Sequence, residues 1–155
     1  MDASSALFSV DIVDGVSNDE DSKWKLYPNL QDGGIDSCGE EFMLGSSDIR
    51  FKFLSMNRTF TGLPSHSGVV LLFYFYQIDD LAPGSVLFTL DSEETPYQLS
   101  PLRMNLCGNA SADAKVPIRL VRELHRKSTL DFRVRMDSMG KFGISHVMLY
   151  LLGTK

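Results

Sequence analysis

Gly68-Val69-Val70-Leu71-Leu72-Phe73-Tyr74-Phe75-Tyr76-Gln77-Ile78 is the stretch that decides the fold. From Val69 to Tyr76 every residue is apolar or aromatic, and the run is bounded by Gly68 on one side and Asp79-Asp80 on the other. Crossing a bilayer as a helix takes roughly 20 apolar residues, so this run reads as a strand. Its lack of polar alternation means that both faces are covered, which places it at the centre of a sheet.

The neighbouring segments extend the same reading. Residues 48–54 alternate Ile49, Phe51 and Phe53 with Arg50 and Lys52, which predicts a half-buried strand before a turn at Gly62-Leu63-Pro64. After Pro83-Gly84, the positions Val86, Phe88 and Leu90 predict a strand that pairs with the central run as a β-hairpin. Residues 97–104 read as a short strand that Pro101 confines to a sheet edge or a bulge. Pro117 suits the first turn of a helix over 117–127: Ile118, Val121 and Leu124 form an apolar face, and Arg119, Arg122 and Arg126 a basic one. Residues 130–136 alternate Leu130, Phe132, Val134 and Met136 with Asp131, Arg133 and Arg135. Ser138-Met139-Gly140 then turns the chain into a final strand over 142–151, expected as the antiparallel neighbour of the preceding one. The resulting fold class is mostly β (α+β): an antiparallel β-sandwich or a twisted sheet of five to six strands, with one amphipathic helix.

The chain has 155 residues, the usual size for one hydrophobic core. Residues 1–41 are rich in Asp, Ser, Gly and Asn with scattered apolar residues, and are expected to form an acidic, largely disordered tail. Trp24 to Leu30 is the piece of it expected to dock, on the domain or on a partner. Residues 42–155 are expected to form a single β-rich domain. The start of the chain lacks the basic and apolar regions of a signal peptide, which predicts a cytoplasmic protein. Cys38 and Cys107 lack metal-ligand spacing and read as free thiols.

The net charge of -5 conceals an asymmetry: residues 1–50 hold 11 Asp or Glu against 3 Lys or Arg, and residues 51–155 hold 9 against 12. Lys115, Arg119, Arg122, Arg126, Lys127, Arg133 and Arg135 cluster in sequence, and as a helix face next to an outward strand face they predict one positive surface. Such a surface binds phosphate, as anionic lipid or RNA. In the tail, Tyr27-Pro28-Asn29-Leu30 has the YPxL form, whose Tyr27, Pro28 and Leu30 suit an extended peptide anchoring in a host partner's pockets.

Motifs of the common enzyme classes are absent: there is no GxSxG, P-loop, GxGxxG or HExxH. His66, His125 and His146 are far apart in sequence, and Asp79, Asp80 and Asp91 read as strand terminators rather than calcium ligands. A non-enzymatic protein without metal or cofactor is expected.

Asp48-Ile-Arg-Phe-Lys-Phe-Leu-Ser-Met-Asn-Arg-Thr-Phe-Thr-Gly-Leu-Pro64, and Phe73-Tyr-Phe-Tyr-Gln-Ile-Asp-Asp80 with the hairpin after it, resemble the compact matrix proteins of non-segmented negative-strand RNA viruses, of the rhabdovirus and bornavirus kind. That resemblance implies a self-associating structural protein of virion assembly. It would lie peripheral to a membrane, or in the virion, and bridge an anionic membrane surface and the viral ribonucleoprotein. The competing expectation is an intracellular adaptor of the C2 type or a viral movement-protein-type binding module.

Overall fold

The computed structural model describes residues 6–11, 24–27, 35–38, 41–45, 55–78, 86–97, 114–136 and 141–153. Eleven strands are found among them and no helix: β1 Ala6–Asp11, β2 Lys25–Tyr27, β3 Ile35–Cys38, β4 Glu41–Gly45, β5 Ser55–Phe60, β6 Gly68–Ile78, β7 Val86–Leu90, β8 Glu93–Pro96, β9 Ala114–Arg122, β10 Leu130–Met136 and β11 Lys141–Leu152. They form two antiparallel sheets. One is six-stranded in the order β3-β4-β11-β6-β9, with β1 also paired to β11; the other is five-stranded in the order β2-β5-β10-β7-β8. The described residues therefore form an all-β sandwich.

Strand alternation supplies the core. Val69, Leu71, Phe73 and Phe75 of β6 face Val86, Phe88 and Leu90 of β7 and Leu130, Phe132 and Val134 of β10 across the two sheets, all of them buried. Aromatic rings dominate the contact. Phe75 stacks on Phe142 at 5.7 Å between centroids and lies 4.5 Å from Tyr97, and Phe73 meets Phe88 edge-on at 5.2 Å. Trp24 closes the layer edge-on against Phe132 at 5.8 Å.

In β11 the inward positions change parity. Phe142 and Ile144 face the core, and so do Val147, Leu149 and Leu151. The shift is made by a bulge: Ser145 pairs with Tyr74 and Met148 with Leu72, so that His146 and Val147 together oppose Phe73.

Several expectations are corrected here. Residues 117–127 are not a helix, because residues up to Arg122 lie in β9, which pairs with β6 from Ala114↔Gln77 to Arg122↔Val69. The exposed edge of β6 required a partner strand, and Val116, Ile118 and Val121 are β-branched. Pro117 is tolerated because β9 ends the sheet. Leu124, which the helix would have buried, is 81% exposed. The expected hairpin of β6 with β7 is also absent, as is the pairing of β10 with β11: in both cases the two strands lie in opposite sheets. Alternation reports which face is buried, and it is the same whether the chain turns back or crosses over.

Of residues 1–41, β1 pairs with β11, β2 with β5 and β3 with β4, and Trp24 is in the core. The rest of the tail expectation, and the strands read over 48–54 and 97–104, fall outside the described residues, apart from Tyr97.

Candidate functional site

The outer face of the six-stranded sheet carries the most distinctive surface among the described residues. β6 projects Tyr74 outward, 36% exposed, and its neighbours across the sheet are Ser145 on β11 and Pro117 on β9. A fully apolar strand in a sandwich needs only one covered face, so an aromatic left on the other is available to a ligand.

Two further groups converge on that ring. His146 lies edge-on to it, with centroids 5.7 Å apart and planes at 88°. The Lys115 ammonium sits 4.4 Å from its centroid and 5.9 Å from that of Tyr76, within cation–π range. Beneath them, the buried Tyr76 hydroxyl is 2.9 Å from Ser145 Oγ, which is 3.0 Å from His146 Nδ1. His146 occupies the left-handed region at φ 52, a conformation that costs a non-glycine side chain of order 1 kcal/mol. The bulge that imposes this cost aims the imidazole beside Tyr74. Together the site offers an aromatic surface, an imidazole, an ammonium and a hydroxyl relay, the mixture that grips ligands with both apolar and hydroxyl-bearing surfaces.

A second polar cluster is buried at one end of the sandwich. His66 Nδ1 is 2.6 Å from Pro64 O, His66 Nε2 is 2.8 Å from His125 Nδ1, and His125 Nε2 is 3.2 Å from Asp91 Oδ2. Asp91, at φ 53, also accepts from Asp131 N–H at 3.0 Å. Pro64 O can only accept, so His66 Nδ1 donates to it. Among the described residues neither His125 Nε2 nor Asp91 Oδ2 makes a well-aligned hydrogen bond, although the two atoms face each other. Among the described residues no group of His, Cys, Asp and Glu is arranged to hold a metal ion. The cluster ties the connection after β5 to those after β7 and β9, and His125 N–H donates to Ser67 O at 3.0 Å.

Burial pushes the His125 imidazole below its ordinary value; Asp91 and a backbone hydrogen bond to Thr129 pull it up, and His66 and Arg122 push it further down. The folded state therefore holds fewer protons on His125 than the unfolded chain does in mild acid. This stability is complete above the unfolded value of about 6.5 and is lost as pH falls through the folded one. Chemical denaturation between pH 7.5 and 5.5 is expected to show stability falling with pH, and His125→Asn is expected to flatten the slope. An equal slope in the two proteins would contradict this.

The basic residues expected to form one surface are divided. Lys115 and Arg119 are on the outer face of the six-stranded sheet. Arg122 turns to the edge of the other sheet, donating to Leu90 O at 3.0 Å and pairing with Glu93 at 3.0 Å. Exposed Arg126 and Lys127 lie between β9 and β10, with Lys127 3.9 Å from Asp91. Arg133 and Arg135 project from β10 in the five-stranded sheet, with Arg135 3.8 Å from Glu94. Tyr27 ends β2 opposite Ser55, while Pro28 and Leu30 lie outside the described residues. The His146 site was missed in the sequence, although the change of parity between Ile144 and Val147 is its visible trace.

Compared with solved structures, the chain superposes on the CBM22-1 xylan-binding domain of Xyn10C from Paenibacillus barcinonensis with a TM-score of 0.60 and 11% identity over 98% of both chains. It superposes on the carbohydrate-binding module TmCBM27, whose structure describes specific mannan recognition, with a TM-score of 0.54 and 16% identity over 96% of this chain and 99% of that one.

The chain has the fold of a carbohydrate-binding module.

The tandem CBM22-1-CBM22-2 of the same Xyn10C matches with a TM-score of 0.59 and 11% identity, over 97% of this chain and 46% of that one. No protein-family model matches the sequence, and no curated protein matches it at a significant level. These likenesses overturn the resemblance to viral matrix proteins and the assembly role and partners it implied. The sandwich superposes, nearly end to end, on carbohydrate-binding modules, so self-assembly, the membrane and ribonucleoprotein partners, and the adaptor and movement-protein alternatives are withdrawn. The resemblance rested on strand order, size and a few residues, and the hairpin of β6 with β7 that it included does not exist, because the two strands lie in opposite sheets.

Proposed function

We propose that this domain is a non-catalytic carbohydrate-binding module that holds a polysaccharide chain across the outer face of its six-stranded sheet. The observation that carries the proposal is the Tyr74 ring, 36% exposed and edge-on to His146, with the Lys115 ammonium 4.4 Å over its face on a flexible stem that can swing aside for a ligand. A pyranose ring presents an axial C–H face that stacks on an aromatic surface, and a rim of hydroxyls that exchange hydrogen bonds with groups such as imidazole and ammonium.

A second tyrosine on this face, Tyr150, pairs with Val70. Four residues along β6 is about 13 Å at strand rise, longer than one sugar ring, which favours an extended chain over a monosaccharide as the ligand. Xylan and mannan are the ligands named for the two similar modules, and they are the first candidates here. Affinity electrophoresis of the full chain through gels containing xylan or mannan tests the proposal: at least one gel is expected to retard the protein in proportion to polysaccharide concentration. Equal mobility in every gel and in a polysaccharide-free gel would refute it.

A further inference from the structure

We propose that Tyr76 and Ser145 fix the proton on His146, so that the imidazole presents an Nε2–H donor to the ligand beside Tyr74; the ligand half of this inference rests on the carbohydrate-binding reading above. The three groups form a chain at hydrogen-bond distance, 2.9 Å from Tyr76 Oη to Ser145 Oγ and 3.0 Å from Ser145 Oγ to His146 Nδ1. Both hydroxyl-bearing residues are buried, Tyr76 at 1% and Ser145 at 0% exposure, so neither touches a ligand directly. Their part is to orient something that does.

The direction of the chain follows from acid strength. A phenol is a far better donor than an aliphatic hydroxyl, and an unprotonated imidazole nitrogen is a better acceptor than either oxygen. Tyr76 therefore donates to Ser145, and Ser145 donates to His146 Nδ1. The neutral ring then carries its proton on Nε2, across the ring from Ser145. Ser145 is the residue paired with Tyr74 at the start of the bulge, and His146, next in sequence, takes the left-handed φ. The bulge thus sets both the orientation of the imidazole and, through Ser145, its tautomer. A donor of fixed position selects an oxygen lone pair of the sugar ring stacked on Tyr74, which makes His146 a specificity-determining contact and Ser145 and Tyr76 positioning residues.

The test uses the full chain at pH 8, above the ordinary imidazole range. Imidazole 15N spectra of the wild type are expected to show His146 with Nδ1 unprotonated and Nε2 protonated. Ser145→Ala and Tyr76→Phe are expected to give mixed tautomers, and Ser145→Thr is expected to restore the wild-type pattern. Affinity for whichever of xylohexaose and mannohexaose the wild type binds is expected to fall about three- to tenfold in Ser145→Ala and to recover in Ser145→Thr. An Nδ1–H tautomer in the wild type overturns the proposal, as does an unchanged tautomer in both Ser145→Ala and Tyr76→Phe. Unchanged affinity in a Ser145→Ala protein whose tautomer has become mixed overturns the donor role of His146. If the wild type binds neither oligosaccharide, the carbohydrate reading fails, and the spectra still decide the proton relay.

Discussion

Phe75→Ala is expected to remove about 4 kcal/mol of unfolding free energy, the cost of deleting a buried aromatic and leaving a partly collapsed cavity. Phe75 has no exposed surface and contacts Phe88, Tyr97 and Phe142, rings drawn from both sheets and from the segment after β8. A domain of this size has roughly 5–15 kcal/mol in total, so the variant is expected to be marginal at room temperature. Urea denaturation followed by Trp24 fluorescence measures it directly, since Trp24 is the single tryptophan and is itself in the core. A loss below about 1 kcal/mol would mean that the two sheets do not close on one another through this residue.

The adjacent substitution is expected to do the opposite. Tyr74→Ala, one residue away and on the other face of β6, is expected to cost clearly less stability than Phe75→Ala, about 1–2 kcal/mol, because the residue is 36% exposed and what it loses is mainly its contacts with Lys115 and His146. Affinity for the recognised polysaccharide is expected to fall at least tenfold, about 1.4 kcal/mol, since a single exposed aromatic commonly dominates a small binding surface. Titration calorimetry of the wild type and Tyr74→Ala with the same oligosaccharide checks this. Equal affinities would remove Tyr74, and the face it stands on, from the binding site.

That contrast between neighbouring residues also shows what was legible in the sequence. The central position of β6 followed from its unbroken apolar run, and Leu130 to Met136 from perfect alternation; both segments are strands. The reading that both faces of β6 are covered largely holds, since the outward Val70 and Tyr76 are buried as well as the inward set, and Tyr74 is the exposed exception. Residues 117–122 illustrate a competition between periods. Ile118, Val121 and Leu124 fit a helix, and Val116, Ile118 and Leu120 fit a strand; pairing with β6 decided between them. Which sheet each strand joins was not legible, because inward and outward positions look alike in either sheet.

The candidate site was hidden for a related reason. Tyr74, Lys115 and His146 come from three strands that are neighbours only after the sheet order β11-β6-β9 is known. The basic residues were conspicuous because they are close in sequence, yet β9 and β10 carry them to different sheets. Nearness along the chain was a poor guide to nearness in space, and the visible trace of the candidate site in the sequence was the parity change in β11.

Backbone amide NMR of the 15N-labelled full chain, titrated with xylohexaose and then with mannohexaose, locates the binding face. Saturable shifts are expected for at least one of them, concentrated on the outward residues of β6, β9 and β11 around Tyr74, Lys115 and His146. Shifts confined to other surfaces, or no shifts with either sugar, would contradict it.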